Sequence, residues 1–452
     1  MPHETNLDCL RFSAPSRRQF LHTLGVATVG TALVGVRPVR AREWSANEKL
    51  NIGVIGVAGQ GGYSISNLKD QNIVALCDVD ATNLSKAAQQ FPGAQTHRDF
   101  RRLIDQKGLD AIVVATPDHT HAVATAAALR SGRHVYCEKP LTHTLSEARL
   151  ITELAQKSKL VTQIGTQIHA GNNYRRVVEL VQTGAIGSVQ EVHVWVNSSY
   201  GGQARPTETP PVPAGLDWDL WLGPLAAQPY HPDYVPFKWR HWWAWGGGSL
   251  ADFGCHFMDL PFWALGLKYP EAVEPVSGPA VNPDSTPPWL IMRYHFPAEK
   301  ITHLSSGQSR ARSRVTLTWY HGGKRPEHLV SDELYAKWKG GVLFVGDKGM
   351  LLADYSRHVL LPEEKFADFS RPPEFIPNSI GHHKEWVNAI KTGGPTTCPF
   401  SYSGPLTETA LLGNLAYRVG QRIEWDGKRL RAKNCPAAAE LIQHHYRKGW
   451  KL

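Results

Sequence analysis

The chain has 452 residues, of which 42% are hydrophobic, 10% aromatic and 20% charged. This length and apolar content predict two or three folded domains with real cores, and they exclude a mainly disordered protein. The formal charge is +9, but the basic residues form no run. The surplus therefore indicates a solvated surface and excludes a nucleic-acid groove as the main partner site.

The first 41 residues have the pattern of an export signal. Arg17 and Arg18 precede Phe-Leu and an uncharged stretch from Leu24 to Val36, with small residues before the end of the segment. A basic N-terminal region, a short apolar run and small residues before the cleavage point are typical of a cleaved signal peptide. The paired arginines resemble the twin-arginine signal. We expect residues 1–41 to be removed, and the chain to be periplasmic with no membrane contact after processing. An anchor helix that stays attached is the alternative.

Five cysteines follow this segment, at positions 77, 137, 255, 398 and 435. Their number is odd and no pair has CxxC spacing. We therefore expect buried free thiols and no disulfide framework.

A short β-branched strand at residues 50–57 leads directly into a glycine-rich turn. The turn matches the dinucleotide-binding pattern GxGxxG at its first and last glycine, with alanine in the middle position. In that pattern the first glycine allows the tight turn and the last allows close packing of helix on strand. We expect the cofactor to lie on the residues of this turn, Gly56, Ala58, Gly59, Gln60 and Gly61.

The next strand, residues 72–77, is followed by Asp78, about 20 residues after the turn. A carboxylate at this point accepts hydrogen bonds from the ribose hydroxyls of NAD, whereas it would repel the 2′-phosphate of NADP. No arginine stands in residues 78–83 to offset that repulsion. The order of strand, turn, helix, strand and acid therefore predicts NAD as the cofactor.

Strands and helices continue to alternate up to residue 167. This rhythm predicts a Rossmann domain over residues 48–167, with a parallel sheet and helices on both faces. Ligands bind beyond the carboxyl ends of such strands. We expect further cofactor contacts from the residues that follow the later strands, namely Pro117, His121, Glu138, Lys139 and Gln167.

Glu138-Lys139-Pro140, with the later Gly-Gly-Gly-Ser-Leu-Ala-Asp-Phe-Gly-Cys-His at residues 246–256, resembles the Gfo/Idh/MocA family. That family includes glucose–fructose oxidoreductase, inositol dehydrogenases and NAD-dependent glycosidases. The resemblance implies an α+β domain over residues 168–452, with an open, mostly antiparallel sheet and C-terminal helices that pack back. It also implies a sugar bound between this sheet and the nicotinamide, and a homodimer or homotetramer.

Oxidation of a carbinol requires a base for the hydroxyl proton and a group that stabilises the developing alkoxide. Lys139 is placed to polarise the substrate oxygen, and Asp252 and His256 lie one helical turn apart. By resemblance these three match the family's catalytic Lys, Asp and His. His256 is the expected base. Asp252, His256 and Asp259, or His119 and His121, could instead hold a metal, but no thiolate or third imidazole supports this, so we expect none.

Seven of the 15 tryptophans lie between residues 218 and 245 or at residue 263. Flat aromatic rings beside Arg and His suit the apolar faces and hydroxyl rim of a sugar, although such rings also serve as plain core. We expect some of them to line the site and the rest to pack. The candidate substrate contacts are His169, Asn173, Tyr174, Trp239, Arg240 and Trp242, together with Asp252 and His256.

These features predict an NAD-dependent enzyme that oxidises a carbinol, at C3, of a sugar or glycoside. Nicotinamide is not regenerated outside the cytoplasm, so an exported enzyme should hold its cofactor tightly. One alternative is a redox-neutral NAD-dependent glycoside hydrolase that works by oxidation, elimination, hydration and reduction. A second is a sugar-binding protein without activity.

Overall fold

The structure is a computed structural model that describes residue 45 and residues 48–452. The predicted export signal at residues 1–41 lies outside the described residues. None of the helices within the described ranges is long and apolar enough to cross a membrane.

The first domain alternates strands and helices from residue 51 to residue 164. Its elements are β1 (Asn51–Ile55), α1 (Gln60–Asn67), β2 (Asn72–Cys77), α2 (Ala81–Gln90), β3 (Gln95–His97), α3 (Phe100–Asp105), β4 (Ala111–Val114), α4 (Asp118–Arg130), β5 (His134–Cys137), α5 (Leu145–Ser158) and β6 (Thr162–Ile164). The six strands form a parallel sheet in the order β3-β2-β1-β4-β5-β6. The order reverses between β1 and β4, which is where ligands bind in open α/β sheets.

Both faces of this sheet are buried. Neighbouring residues of β1 belong to different apolar clusters, with Val54 in one and Ile55 in the other, and the same holds for Val113 and Val114 in β4. Successive side chains of a strand point to opposite faces. Helices therefore cover both faces, as the continuous apolar strands predict.

The turn after β1 brings the backbone of α1 against the sheet. Gly56 has φ +81°, and an added Cβ there would lie 2.5 Å from the Ala115 carbonyl oxygen. A Cβ on Gly61 would lie 1.7 Å from the Gly56 carbonyl oxygen. Only glycine fits either position, as the sequence pattern predicts.

The second domain contains most of the remaining elements. They are α6 (Asn172–Gln182), β7 (Val189–Val196), α7 (Trp218–Leu222), α8 (Gly248–Phe257), α9 (Asp259–Leu265), β8 (Ala272–Ser277), β9 (Leu290–Phe296), β10 (Glu299–Thr302), β11 (Ser309–Arg312), β12 (Val315–His321), α10 (Asp332–Ala336), β13 (Gly341–Gly346), β14 (Gly349–Ala353), β15 (His358–Leu361), α11 (His382–Thr392), α12 (Phe400–Val419), β16 (Ile423–Asp426), β17 (Arg431–Ala432) and α13 (Ala439–Ile442). Nine strands form a sheet in the order β15-β14-β13-β7-β12-β9-β8-β16-β17. Only β7 and β12 pair in parallel; the other pairs are antiparallel. This confirms the predicted fold class.

Helices cover one face of the large sheet. Tyr174 of α6, Phe262 of α9 and Leu412 of α12 pack in one cluster with Val194 of β7 and Trp319 of β12. Each of these side chains is at most 1% exposed. The helix α8, which carries the predicted catalytic pair, is thereby held between this layer and the first domain.

Two late helices pack back on the first domain. The Thr407 hydroxyl of α12 accepts a hydrogen bond from the Leu141 backbone N–H (3.3 Å), and Glu408 pairs with Arg149 of α5 (2.8 Å). In α11, Trp386 is fully buried in the first domain's core. The chain thus returns to the first domain after the strands of the second. These contacts hold together the two domains between which the site lies.

We expect the Gly61→Ala substitution to lower the free energy of unfolding by about 1–3 kcal/mol or more, because the new methyl group meets backbone that cannot move away. Gly93→Ala is the matched control, since Gly93 is exposed and a Cβ there meets nothing within 4 Å. Chemical denaturation followed by circular dichroism measures both. Equal stability of the two variants would contradict the close approach of α1 to β1.

Candidate active site

A cavity of about 1010 Å³ lies beyond the carboxyl ends of β1, β2, β4 and β5 and extends to α8. Gly56, Asp78 and Lys139 line it from the first domain, and Asp252 and His256 from the second. The topology thus brings the glycine turn and the three predicted catalytic side chains into one space. This volume is large enough for a dinucleotide and a small substrate together.

The glycine turn forms one wall of the cavity. Ala58, Gly59 and Gln60 line it, whereas Gly61 packs beneath Gly56 and supports the turn. Gly59 has φ +53°, begins α1 without a side-chain cap, and has open space where a Cβ would stand. A helix N-terminus with free N–H groups and open space before it suits a pyrophosphate, so the residues fit the predicted cofactor.

Asp78 holds the turn to the end of β2. Its carboxylate accepts hydrogen bonds from the backbone N–H groups of Val57 (3.0 Å) and Asp80 (2.9 Å). Burial raises the pKa of Asp78, while these two hydrogen bonds oppose the rise. The carboxylate therefore lies where the ribose of a bound dinucleotide is expected.

Lys139 and Asp252 form a buried ion pair across the cavity. The Lys139 ammonium contacts the Asp252 carboxylate and lies 3.3 Å from the Asp252 backbone oxygen. Arg240 adds a second cation, 3.5 Å from the same carboxylate. Burial raises the pKa of Asp252, but Lys139 and Arg240 outweigh it and hold that pKa at about 2. Asp252 is therefore an anion that fixes the ammonium beside the cavity.

His256 lies one turn after Asp252 on α8, and its buried Nδ1 has no hydrogen-bond partner among the described residues. Burial and the nearby Lys139 ammonium lower the pKa of His256 to about 3, although the Asp252 carboxylate opposes them. The imidazole is therefore neutral near pH 7. A neutral ring with a free nitrogen can accept a proton.

Asp118, which we did not predict, also lines the cavity at the start of α4. Its side chain is buried, and burial raises its pKa to about 8 against the attraction of Arg240 and Lys139. The negative charge of Asp252 adds to the rise. The run Pro-Asp-His-Thr-His after β4 drew attention to its histidines, but the acid that precedes them also lines the cavity.

Glu138 lines the cavity and accepts a hydrogen bond from Gln167. Gln167 does not line the cavity; its side-chain amide donates to the Glu138 carboxylate (2.8 Å) and the Tyr136 hydroxyl (3.0 Å). Burial raises the pKa of Glu138 to about 7, and Lys139 and Gln167 oppose the rise. A Cβ on Gly165 would lie 2.5 Å from this carboxylate, so the glycine makes room for it.

His121 reaches the cavity but is held by backbone. Its two ring nitrogens lie 2.7 Å from the carbonyl oxygens of Pro140 and Thr116. Burial lowers its pKa to about 4, although both carbonyl contacts favour the protonated ring. Its main contact is therefore with the turns after β4 and β5, and Pro117 lines the cavity beside it.

His169 does not line the cavity, so its assignment as a substrate contact is corrected. Its Nδ1 lies 3.0 Å from both oxygens of the fully buried Asp259, and its ring stacks on Trp263 at 4.0 Å. Tyr402 donates a hydrogen bond to the same carboxylate (2.8 Å). Because Asp259 has these partners, it does not meet Asp252 and His256 as a third metal ligand. Within the described ranges, no three His, Cys, Asp or Glu side chains gather at a candidate metal position.

Asn173, Tyr174 and Trp242 also lie away from the cavity, because each has a structural role. Asn173 donates hydrogen bonds to the Asp354 (2.8 Å) and Arg357 (3.0 Å) carbonyl oxygens. Tyr174 and Trp242 are fully buried in apolar clusters. Their position in the sequence next to the site gave no sign of which way each side chain points.

Trp239 and Arg240 do line the cavity. The Arg240 guanidinium lies 4.1 Å from the centre of the Trp239 ring and 4.6 Å from that of Phe237. Tyr230, Phe237 and Trp450 line the cavity as well, and we did not predict them. Tyr230 and Phe237 lie within the aromatic-rich segment, whereas nothing near Trp450 in the sequence indicated a site.

The cysteines after the predicted signal are free and buried, as expected. His119, the other histidine considered for a metal, is buried with its Nε2 2.8 Å from the Trp221 carbonyl oxygen.

Two family models match the chain. One, an oxidoreductase family with an NAD-binding Rossmann fold, matches residues 50–166, and the other, the C-terminal alpha/beta domain of the same oxidoreductase family, matches residues 172–313. Both are Gfo/Idh/MocA models and together cover more than half of the chain. The chain belongs to the Gfo/Idh/MocA oxidoreductase family, and its first domain is an NAD-binding Rossmann domain. This confirms the family and the cofactor predicted from the sequence.

A myo-inositol 2-dehydrogenase of Thermotoga maritima is 28% identical over 172 residues, 37% of this chain and 48% of the relative. The chain thus spans about half the length of the curated relatives it matches. Among solved structures, the WlbA dehydrogenase of Bordetella pertussis, in complex with NADH and UDP-GlcNAcA, has a TM-score of 0.57 at 17% identity, over 84% of this chain and 99% of that one. An aldose-aldose oxidoreductase of Caulobacter crescentus has a TM-score of 0.53 at 18% identity, over 84% of this chain and 100% of that one. These likenesses show the fold.

The raised pKa of Asp118 has a consequence for stability. Between about pH 4 and pH 8 the unfolded chain ionises this carboxyl while the folded chain keeps its proton, so the folded state binds more protons and loses stability as pH rises. We expect Asp118→Asn to remove this loss, which amounts to at most about 1.4 kcal/mol per pH unit. Thermal unfolding of the cofactor-free protein from pH 5 to pH 8 measures it.

The exposed Asp105 provides the control, because Asp105→Asn should keep the pH dependence of the wild type. If Asp118→Asn and wild type lose stability in parallel over this range, Asp118 is ionised in the folded protein.

Proposed function

We propose that the protein is an NAD-dependent oxidoreductase that oxidises a secondary carbinol of a sugar or glycoside. The observation that carries the proposal is the convergence of the Lys139–Asp252 pair and the neutral His256 in the cavity that the glycine turn also lines. NAD, held by the glycine turn and Asp78, would supply the hydride acceptor for this chemistry. The protein supplies the remaining needs of the reaction, namely a proton acceptor and positive charge near the substrate oxygen.

Each of the three side chains has a distinct task. The Lys139 ammonium polarises the substrate hydroxyl oxygen and stabilises the negative charge that develops on it. The Asp252 carboxylate keeps that ammonium in place and is itself kept ionised by Arg240. The low pKa of His256 leaves its ring neutral at working pH, so His256 can accept the hydroxyl proton.

The proposed substrate class follows from the side chains that the second domain contributes to the cavity. Trp239, Phe237 and Tyr230 offer aromatic surface to the apolar face of a sugar ring, and the Arg240 guanidinium can donate to its hydroxyls. The names of the inositol, aldose and nucleotide-sugar enzymes that this chain resembles agree with a polyhydroxylated substrate. We propose C3 as the carbon that is oxidised, and the detection of 3-keto products in the experiment below tests this position.

The acid–base properties of the cavity favour one second candidate, a redox-neutral glycoside hydrolase. A neutral imidazole at His256 and a protonated carboxyl at Asp118 line the same cavity, and such a pair with separated pKa values can supply a base and an acid. After oxidation at C3, removal of the C2 proton and protonation of the leaving oxygen eliminate the C1 substituent. Addition of water and return of the hydride then restore the sugar. A protein exported with its cofactor, as the predicted signal at residues 1–41 suggests, would need its NAD returned to the starting state, either by this cycle or by reduction of a second carbonyl compound.

One experiment separates these candidates. Purified protein is incubated with an aryl glycoside without added cofactor, and phenol release, NADH absorbance and 3-keto products are followed. We expect 3-keto sugar with a stoichiometric change in NADH. Sustained phenol release without net NADH would establish the hydrolase, and neither signal with any tested glycoside or free sugar would favour a non-catalytic sugar-binding protein.

We expect Lys139→Met and His256→Ala each to lower kcat by about 10²- to 10⁴-fold, because each removes a group that acts on the reacting oxygen or its proton. Lys384→Met is the matched control, since Lys384 is exposed and lies outside the cavity lining. Steady-state turnover at saturating NAD measures the loss. Unchanged turnover of Lys139→Met would refute the catalytic assignment.

A further inference from the structure

The last ten residues, 443–452, form a segment that we call the C-terminal strap. It follows α13 and is tied to the first domain at two points. The His444 ring contacts the ring of His143 (Nε2 to Nδ1, 2.7 Å), and the Tyr446 hydroxyl donates to the Glu147 carboxylate. A chain end with such specific contacts has a defined path across the surface.

Arg447 ties the strap to the segment around α7. Its backbone N–H donates to the Pro224 carbonyl oxygen (2.9 Å). Its guanidinium donates to the carbonyl oxygens of Gly223 (2.6 Å) and Asp219 (2.7 Å) and pairs with the Asp219 carboxylate. Leu216 and Leu220, before and within α7, line the cavity, so Arg447 is attached to one of its walls although it does not line the cavity itself.

Trp450 places the end of the strap in the cavity itself. Its indole lines the cavity beside Arg98 and Phe100, the residues that follow β3, and its ring centre lies 5.9 Å from that of Phe100. The Arg101 guanidinium lies 4.7 Å from the Trp450 ring. The strap therefore joins the wall after β3 to the wall formed by the segment around α7.

The ends of β2 and β3 are the adenosine side of a dinucleotide site, because the ribose contact expected at Asp78 follows β2 and the nicotinamide lies across the switch point. Trp450 is consequently on the side away from Lys139 and His256. A flat aromatic ring at this position can stack on a nucleobase, and such stacking contributes in a way that depends little on the identity of the base.

We propose that the C-terminal strap retains the dinucleotide, with Trp450 closing the adenosine side of the cavity and Arg447 holding the strap against α7. This inference rests on the proposed use of a dinucleotide and adds the residues that slow its release. Trp450 and Arg447 lie away from the reacting groups, so they act on binding and not on the chemical step.

The test measures the dissociation of NADH from the full-length protein by stopped-flow fluorescence, with the dissociation constant of NAD from calorimetry. We expect Trp450→Ala to raise the NADH dissociation rate by about five-fold or more, the lower end of the range for loss of one base–aromatic stack. Trp450→Phe should restore most of the retention because it keeps a flat ring. Arg447→Ala should also raise the rate, although Arg447 does not line the cavity.

Trp289→Ala is the matched control. Trp289 is likewise partly buried beneath a cation, with the Lys324 ammonium 4.6 Å from its ring centre, but it lies outside the cavity lining. It should leave the dissociation rate unchanged. Circular dichroism and thermal unfolding of each variant show whether the fold is kept.

Wild-type dissociation rates in folded Trp450→Ala would overturn the proposal, and a wild-type rate in Arg447→Ala would overturn the strap as the device that retains the nucleotide. A wild-type protein that binds neither NAD nor NADH would instead contradict the proposed function. The two failures are thus distinguishable in one set of measurements.

Discussion

The ion pair between Lys139 and Asp252 is the constraint on which the site depends. Lys139 follows a strand of the first domain and Asp252 lies on a helix of the second, so the pair joins the two domains across the cavity. Burying two charges costs several kcal/mol for each ion, and a well-packed apolar pair of the same size would often be as stable. Such a pair is therefore better explained by the charge that it presents to a ligand than by the stability of the fold.

Burial sets the protonation states beside this pair. It lowers the pKa of His256 and raises that of Asp118, and the Lys139 ammonium adds to the first shift and the Asp252 carboxylate to the second, while the other member of the pair opposes each shift. Burial thus separates a base from an acid within a single cavity at neutral pH. Proton removal at one point and proton donation at another are then possible without a change in the charge of the pair itself.

The sequence was sufficient for the parts of the fold that depend on local pattern. The glycine turn, the acid after β2 and the alternation of strands and helices each follow from local pattern, and the turn and the acid meet at the cavity. The prediction of the substrate contacts depended on the direction of each side chain, and adjacency along the chain does not determine that direction. His169 and Tyr174 therefore proved to be core residues. Asp118 lines the cavity from a run of which only the neighbours of this acid were expected at the site, and Trp450 lines it from a segment that gave no signal.

Trp450 is one of several residues that bring distant segments of the chain to the cavity. α11, α12 and the C-terminal strap return to the first domain after the second domain is complete, so the walls of the cavity come from segments far apart in sequence. Closing a site with distant segments costs chain entropy that grows only slowly with loop length, and the contacts of Glu408, Trp386 and Arg447 offset it. On the role proposed for the C-terminal strap, release of the dinucleotide requires the contacts of Arg447 and Trp450 to break. This property suits a cofactor that has to remain bound through repeated turnovers.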